Sequence, residues 1–323
     1  MDEFDFIKRI QPKSYKQSNL IKGIGDDAAV FRQSYQDTVT AVDTLVENVH
    51  FSRKTMEPYH IGYRALAANI SDMAAMGCKP AFYLISIVIP PSWAESELEE
   101  IYLGMTAIAR QFQMDLIGGD TVSGKELVIS VTIIGFVDRN KARYRSDAKE
   151  GDVVFVTGSL GDSAAGFYLL SNFDQRDRLT YQYLINRHRM PFPRVQFASG
   201  LHSLQRVCLN DVSDGIASEA NEIAEASHVT MKIDYEQLPI DKSLLDFSRE
   251  QQESWVLSGG EDFELIGTVS ELEWQKLIEI AAKQNVPVTA IGRVTGHDHK
   301  GKVFLAKDGQ TKLLRKSGYT HLK

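Results

Sequence analysis

The hydrophobic and polar positions of this 323-residue chain follow two periods, and each period predicts a different kind of element. Residues 92–112 carry apolar side chains at intervals of three and four, which predicts one buried helical stripe: Leu98, Ile101, Met105, Ile108 and Phe112. Ser92 followed by Glu95 has the form of a capping box, so we expect this helix to begin there. Three β-rich runs predict strands at residues 38–46, 81–89 and 127–137.

The same criteria predict further elements along the chain. Helices are expected at 58–76, ending near Gly77, at 216–227 and at 271–284, and strands at 152–157 and 286–294. The charged, aperiodic stretch 138–152 indicates a domain boundary, and the polar stretch 172–195 indicates a connecting segment. We therefore predict an α/β (α+β) protein of two mixed domains, residues 1–145 and 146–323.

Composition narrows the class of protein. The formal net charge of −7 is unlike that of a general nucleic-acid-binding protein, which carries a basic patch, but it does not exclude phosphate binding through a metal ion. Cys78 and Cys208 are the two cysteines, too few for a disulfide framework. The acidic N-terminus lacks the pattern of a secretory signal, and the longest apolar run, 81–91, is too short to span a bilayer. We expect a cytoplasmic protein that binds neither nucleic acid nor membrane.

Aspartates near glycines recur along the chain and carry the candidate chemistry. We interpret five short segments, around Asp26-Asp27, Asp43, Asp72, Asp120 and Asp211-Val212-Ser213-Asp214, as turns that present carboxylates. Carboxylate oxygens are the ligands that Mg²⁺ and Ca²⁺ accept, and so many carboxylates would repel one another without cations. The alternative is that Asp and Gly are simply common turn residues. If the loops converge, several cations are implied.

Three glycine-rich segments approach known phosphate-binding motifs. Residues 23–28 fit the letters of a dinucleotide fingerprint, but two carboxylates would face the pyrophosphate and a strand follows, so we reject it. Residues 119–126 fail as a P-loop because Glu126 stands where Ser or Thr is needed and a strand follows. The segment Gly158–Gly166, between a strand and a helix, is either an anion site or a tight connection. His50 beside the Asp43 segment is either structural or functional.

Taken in order, the segments resemble thiamine-monophosphate kinase, a family of the wider group that includes aminoimidazole ribonucleotide synthetase. The resemblance covers nearly the whole chain and rests on these stretches: Gly23–Asp27, Asp43–Val46, His50-Phe51, Ser71–Gly77, Gly118–Thr121, Ser213–Gly215, Ser258–Leu265 and Gly318-Tyr319. It implies ATP- and Mg²⁺-dependent phosphorylation of thiamine monophosphate to thiamine diphosphate. It also implies a homodimer that pairs through strands of the N-terminal domain, with ATP near that seam.

The resemblance also implies roles for individual residues. The magnesium ligands would be Asp27, Asp43, Asp72, Asp120, Asp211 and Asp214, of which Asp27, Asp120 and Asp214 are assigned catalytic roles. The ATP contacts would be Tyr102, Gly119, Asp120, Arg145 and Ser213, and the substrate contacts His50, Glu261 and Tyr319. One departure concerns Ala41-Val42, where the family commonly has Ser-Thr, so two hydroxyl groups near the metals are missing.

The chemistry of such a reaction agrees with the residues. A phosphate monoester is mostly dianionic at pH 7 and needs no general base, whereas two polyanions must be brought together. Carboxylate-bound Mg²⁺ ions would offset that repulsion. The alternatives are another enzyme of the same group and a non-catalytic Mg-nucleotide-binding regulator. No Cys stands near the N-terminus as in a selenophosphate synthetase, or at the C-terminus as in the hydrogenase-maturation relative.

Overall fold

The computed structural model describes residues 10, 12–22, 30–32, 35–174 and 179–318. These residues form two compact units. The first runs up to Met73 and resumes from Cys78 to Asn140, and the second holds Ala74–Gly77 and everything from Lys141 onward. Across these residues, no helix is both long and apolar enough to cross a membrane.

The first unit is built on a four-stranded mixed sheet with the order β3-β6-β4-β5. The strands are β3 (Gln36–Val46), β4 (Lys79–Ile89), β5 (Asp115–Ser123) and β6 (Val128–Asp138). β4 and β5 are parallel and the other neighbours are antiparallel. Two helices belong to this unit, α1 (Pro58–Ala75) and α2 (Glu95–Gln111), and a separate pair of short strands is formed by β1 (Leu20–Lys22) and β2 (Val30–Phe31).

The two faces of this sheet differ in polarity. Along β6, Ile129, Val131 and Ile133 are fully buried, while Ser130 and Thr132 between them are half-buried, as expected for period-2 alternation. Asp43, in register with the buried Val131, lies on the buried face, and its backbone N–H donates to Asn69 of α1. The opposite face carries Val42 and is open to solvent in the single chain.

The helix α2 confirms the predicted apolar stripe but corrects its start. Leu98, Ile101, Met105, Ile108 and Phe112 are all buried. The helix begins at Glu95 rather than near Ser92, and the predicted capping box is wrong. The Glu97 carboxylate instead accepts from the backbone N–H of Ala94, which precedes the helix. The physical reason is that the acidic pattern repeats two residues later, where Glu97 can reach back to the first free N–H groups.

The second unit contains a seven-stranded sheet with the order β13-β12-β9-β11-β7-β10-β8. Its strands are β7 (Val153–Thr157), β8 (Val207–Asp211), β9 (Val229–Asp234), β10 (Leu265–Val269), β11 (Val288–His297), β12 (Lys302–Lys307) and β13 (Gln310–Leu314). Only the β9–β12 pairing is parallel within this sheet. The helices are α3 (Asp162–Asn172), α4 (Gln182–Arg189), α5 (Val195–Gly200), α6 (Ile216–Ser227), α7 (Arg249–Ser258) and α8 (Glu271–Lys283).

Helices cover both faces of the central strands of this sheet. On one face, Val154 and Val156 of β7 join the main hydrophobic core together with residues of α3 and α6. On the other face, the ring of Phe155 contacts Phe197 of α5 and Trp274 of α8. Burial on both sides explains why β7, β8 and β10 are buried at every position.

The polar stretch 172–195 is not merely a connecting segment, contrary to the sequence prediction. It contains the helix α4, whose Leu184 and Ile185 are buried in the main core. Its arginine Arg187 reaches the buried side chains of Asp162 and Glu264. Part of the polar composition therefore belongs to buried ion pairs.

Candidate active site

Four of the predicted turn aspartates lie inside regular secondary structure, among them Asp211, the last residue of β8. Asp43 is in β3, three residues before its end, Asp72 is in the last turns of α1, and Asp120 is in β5. The interpretation of these segments as turns was wrong, whereas the predicted strand 38–46 and the predicted helix 58–76, which contain Asp43 and Asp72, are confirmed. Beside Asp120, Gly119 marks a close approach of two backbones rather than a turn. Asp214 and the end of the Asp211 segment do lie in a loop.

Asp43 is linked to α1 through the side chain of Asn69. The Asn69 side chain, wholly buried, accepts from the Asp43 N–H at 3.2 Å and donates to the Ala65 carbonyl at 3.0 Å. Asp72 follows Asn69 by three residues and so lies on the same side of the helix. Burial raises the pKa of Asp43 above its ordinary value, which is the signature of a carboxylate held without a compensating charge.

Asp120 and Gly119 occupy the far edge of the same sheet. Asp120 is exposed on β5, where its Oδ1 accepts from the Thr121 N–H at 3.0 Å. In register across the sheet, Asp120 pairs with Ser86, whereas Gly119 pairs with Ile85. A Cβ atom on Gly119 would stand 2.1 Å from the Ile85 carbonyl oxygen, so only glycine fits this contact.

His50 accepts a hydrogen bond from the backbone of a turn, whereas Tyr102 is buried on a helix. The His50 Nδ1 accepts from the Val46 N–H at 3.0 Å, so the neutral ring carries its proton on Nε2. Tyr102 lies on α2 with its side chain only 7% exposed, and burial raises its pKa. Little of its surface is therefore available to a nucleotide within the single chain.

Two of the predicted loops come together in the second unit. The Glu261 N–H donates to the Ser213 carbonyl at 2.6 Å, and the Phe263 N–H donates to the Val212 carbonyl at 3.0 Å. Glu261 has φ +67°, a left-handed conformation that is uncommon for residues other than glycine. The structure thus joins the candidate nucleotide residue Ser213 and the candidate substrate residue Glu261, which are 48 positions apart by their numbers in the sequence.

The C-terminal end of the described chain reaches the same place. Gly318, at φ +144°, lies so close to Asp214 that a Cβ atom there would stand 2.0 Å from the Asp214 carbonyl oxygen. The candidate substrate residue Tyr319 follows it but lies outside the described residues. Asp27, with the segment 23–29, also lies outside them, so its predicted roles are not described by the structure.

A buried carboxylate that the sequence reasoning missed supports the 213–214 loop. Glu219, on α6 and 2% exposed, accepts from the Asp214 N–H at 3.0 Å and from the Ser213 hydroxyl at 3.3 Å. Burial, and then the Asp211 carboxylate, raise the pKa of Glu219 to about 8. The available signal was a Glu five residues after Asp214, on the first turns of the following helix.

Arg145 is held at both its backbone and its side chain. Its carbonyl accepts from the Ser227 hydroxyl at 2.6 Å. Its Nε donates to Asn210 Oδ1 at 2.7 Å, and its Nη1 pairs with Glu222 at 2.8 Å. The guanidinium is half exposed at the surface of the second unit.

The Gly158–Gly166 segment is a tight connection whose helix end is already occupied. Asp262 accepts from the backbone N–H groups of Gly161 at 2.7 Å and Ser163 at 3.0 Å, so the chain's own carboxylate fills the α3 N-terminus. Phe263 is buried and Trp255 packs against the main core.

Both cysteines are buried and unpaired. Burial raises the pKa of Cys78 to about 12 and that of Cys208 still higher, so neither thiol is activated as a nucleophile.

The carboxylate oxygens of the candidate residues are ligands that fit Mg²⁺, although the described residues do not bring a complete set of ligands together. Over the described ranges, no three His, Cys, Asp or Glu side chains are grouped so as to hold a metal ion. Mg²⁺, however, usually takes one or two carboxylates and completes its shell with water and substrate phosphates. Asp43 and Asp72 would supply one such pair, and Asp211 and Asp214, whose charges both raise the pKa of Glu219, would supply another.

Comparison with known proteins agrees with this arrangement. Residues 25–137 match the family model of the AIR synthase related protein, N-terminal domain, and residues 149–304 match that of the C-terminal domain. The two halves of the chain are therefore those of an AIR synthase related protein.

Its relatives define a narrower family. A thiamine-monophosphate kinase of Bacillus subtilis (strain 168) is 47% identical over 327 residues, covering all of both chains. The crystal structure of a thiamine-monophosphate kinase from Stenotrophomonas maltophilia is 34% identical with a TM-score of 0.85, covering 97% of this chain and 98% of the other. A structure described as AaThiL complexed with AMPPCP and TMP is 30% identical with a TM-score of 0.79, covering 99% and 97%. The chain belongs to the thiamine-monophosphate kinase family.

Proposed function

We propose that this chain transfers the γ-phosphoryl group of ATP to the phosphate of thiamine monophosphate, giving thiamine diphosphate and ADP. The observation that carries the proposal is the full-length 47% identity to a protein named for that activity. The structure of a 30%-identical relative with AMPPCP and TMP supports the pairing of an ATP-type nucleotide with the monophosphate.

The bond changes of this reaction need little proton chemistry. An oxygen of the thiamine monophosphate phosphate forms a bond to the γ-phosphorus, while the bond from that phosphorus to the β,γ-bridging oxygen breaks and ADP leaves. The attacking phosphate is already mostly dianionic at pH 7. Catalysis then consists of positioning and of neutralising charge between two polyanions. Bound Mg²⁺ ions supply that neutralisation.

The chain's own residues divide this work between the two units. Asp43, Asp72 and Asp120 would hold Mg²⁺ from the N-terminal domain, and Asp211 and Asp214 from the C-terminal domain. Arg145 would donate to phosphate oxygens, since its guanidinium is half exposed and held in place by Asn210 and Glu222. Ser213 would contact the nucleotide, and Glu261, joined to it, would contact the thiamine moiety. His50 would donate from Nε2 to the substrate.

We further propose that the enzyme is a homodimer paired through the N-terminal sheet. Asp43 and Asp120 lie on the two edge strands of that sheet, separated by β6 and β4, or about 14 Å at ordinary strand spacing. One metal cluster cannot span that distance within a chain. A second copy placed along the exposed face, which carries Val42 (62% exposed) and Val122 (45% exposed), would cover that apolar surface and place a second set of strands beside the first.

A cytoplasmic location accompanies the proposal. Two buried, reduced cysteines are typical of a protein kept in a reducing compartment. The N-terminal domain, residues 1–145, would then bind ATP and Mg²⁺ and form the dimer. The C-terminal domain, residues 146–323, would complete the nucleotide and substrate site.

The activity is tested with ATP, Mg²⁺ and thiamine monophosphate, with thiamine diphosphate measured by chromatography. We expect the parent chain to form the diphosphate and Asp120→Asn to lose about 100-fold or more in kcat with its fold unchanged. Asp138→Asn is the matched control, because that exposed aspartate on β6 accepts a hydrogen bond from the Gln36 side chain and has no proposed role in the site. Nucleotide binding without any diphosphate would leave a non-catalytic Mg-nucleotide-binding regulator.

The dimer is tested by light scattering after size-exclusion chromatography. We expect the mass of two chains for the parent and of one chain for Val42→Lys, with a parallel loss of activity. Leu272→Lys, at a position 94% exposed on α8 of the other unit, controls for a general effect of the substitution. A monomeric and fully active parent would contradict the dimer while leaving the kinase activity intact.

A further inference from the structure

A chain of hydrogen bonds runs through the second unit beneath the 213–214 loop. Its central members are Asn210, at the end of β8 and 1% exposed, and Glu219, on α6 and 2% exposed. Asn210 Nδ2 donates to Glu219 Oε2 at 2.5 Å. Glu219 Oε1 accepts from the Asp214 N–H and the Ser213 hydroxyl. At the other end, Asn210 Oδ1 accepts from Arg145 Nε at 2.7 Å.

The donors and acceptors of this network fix one another's orientation. An arginine has no acceptor, so the oxygen of the Asn210 amide must face Arg145 and its NH₂ group must face Glu219. The residue at 219 must therefore present an acceptor to Asn210 and a second acceptor to the loop. Neutral glutamine satisfies only one of the two, whereas a carboxylate satisfies both. Leaving a buried donor without a partner is costly.

We propose that Asn210 and Glu219 are positioning residues that set the Arg145 guanidinium and the Ser213-Asp214 loop in one fixed relation for nucleotide binding. Neither side chain needs to touch the nucleotide. Glu219 holds the loop that carries Ser213 and Asp214. Asn210 then links the position of Glu219 to that of Arg145. The inference rests on the proposed function, because it takes from it the nucleotide roles of Arg145 and Ser213.

An exchange of the two side chains tests this directly. In Glu219→Gln the glutamine NH₂ meets the Asn210 NH₂, and in Asn210→Asp two buried carboxylates meet. In the double variant Asn210→Asp/Glu219→Gln, Asp at 210 accepts from both Arg145 and the glutamine NH₂, and the glutamine oxygen accepts from the loop. Every donor regains an acceptor, and the net charge of the chain is that of the parent.

Binding of a non-hydrolysable ATP analogue with Mg²⁺, measured by calorimetry at pH 9, where Glu219 is a carboxylate despite its raised pKa, is the main readout. We expect each single variant to weaken the Kd by about tenfold or more, as for a lost hydrogen bond to a charged group. We expect the double variant to return to within about threefold of the parent, the coupling that marks a direct contact. In turnover assays the singles should raise the KM for ATP by a similar factor and change the KM for thiamine monophosphate much less.

Controls separate positioning from folding. Glu225→Gln, at an exposed site on the same helix that pairs with Lys316, should bind the nucleotide like the parent. If a single variant does not fold, Arg145→Lys replaces it: this change should weaken binding in the parent and in the double variant equally, since both hold the guanidinium in the same way.

The outcomes distinguish this inference from the proposed function. Single variants with parental nucleotide affinity, or a double variant no better than the weaker single, overturn the positioning role even if the parent makes thiamine diphosphate. If the parent chain binds the ATP analogue but makes no thiamine diphosphate, the proposed kinase activity is refuted. The exchange of the two side chains then still tests the positioning role. A parent that binds no nucleotide overturns both.

Discussion

The Glu264 carboxylate accepts two parallel hydrogen bonds from the Arg194 guanidinium, from Nε to Oε2 at 2.7 Å and from Nη2 to Oε1 at 2.6 Å. Arg187 and the Thr157 hydroxyl complete its shell at 2.8 Å and 2.6 Å. Burial alone would raise the pKa of Glu264, but the charges of Arg194 and Arg187 outweigh it and hold that pKa below its ordinary value. A wholly buried carboxylate is thus kept ionised by two arginines from the polar stretch 172–195.

Arg194→Met should therefore destabilise the chain strongly. The change leaves the buried Glu264 carboxylate with one arginine instead of two. Breaking such a buried pair costs about 3–5 kcal/mol. The measurement is the free energy of unfolding in urea at pH 7. The control is Arg293→Met, which breaks an exposed pair with Glu271 and should cost about 0–1 kcal/mol. Equal effects at the two sites would show that the Glu264 network is not structural.

The contribution of the Asp262 carboxyl to the stability of the fold changes with pH. Burial, reinforced by the Asp162 carboxylate, raises the pKa of Asp262 to about 7, above the value near 4 of an unfolded chain. Between those values the folded state binds more protons than the unfolded state, so this group's contribution falls as the pH rises. Asp262→Asn removes the titration. Its stability relative to the parent should therefore rise by about 1.4 kcal/mol per pH unit from pH 4 to 7.

Urea unfolding of both chains at four pH values in that window measures the difference. Asp246→Asn, at an exposed aspartate of the same unit, serves as the reference substitution. A difference between Asp262→Asn and the parent that stays constant with pH would contradict the raised pKa.

The sequence was sufficient to predict elements whose pattern is local. The helix α6 was predicted with its observed bounds, and the buried stripe of α2 was predicted residue by residue, because a 3.6-residue period needs no distant partner. The helix α4 could not be recognised in this way. Its arginine Arg187 is buried by Glu264, 77 positions away, and a local pattern of polar residues does not reveal a distant counter-charge.

The candidate site was predicted through the resemblance more than through local pattern. Asp120 stands in a strand although aspartate is depleted there, so propensity placed it in a turn, whereas Asp43 falls within the predicted strand 38–46. Glu219 was missed because a carboxylate on a predicted helix is ordinarily assigned to the solvent-facing side. Its burial depends on Asn210 and on the loop around Ser213, which lie in the strand and the loop that precede its own helix.

Gly119→Ala should separate the edge strand β5 from β4. The new Cβ would stand 2.1 Å from the Ile85 carbonyl oxygen, a backbone atom that cannot rotate away. We expect a loss of about 1–3 kcal/mol in the free energy of unfolding, the usual cost of overpacking. Gly296→Ala is the control, since nothing lies within 4 Å of its added Cβ, and it should be neutral or slightly stabilising. Parental stability in Gly119→Ala would show that the strands do not approach so closely.

Two substitutions of His50 separate its structural role from its proposed role in binding. Nδ1 holds the turn by accepting from the Val46 N–H, which leaves Nε2 as the nitrogen that carries the proton. Asparagine places an acceptor near the Nδ1 position, whereas the longer glutamine places its amide near the Nε2 position. His50→Asn should therefore keep the stability of the parent but raise the KM for thiamine monophosphate about tenfold, with the KM for ATP unchanged. His50→Gln should lose about 1 kcal/mol of stability and keep more of the substrate affinity. Parental KM in His50→Asn would confine this histidine to holding the turn.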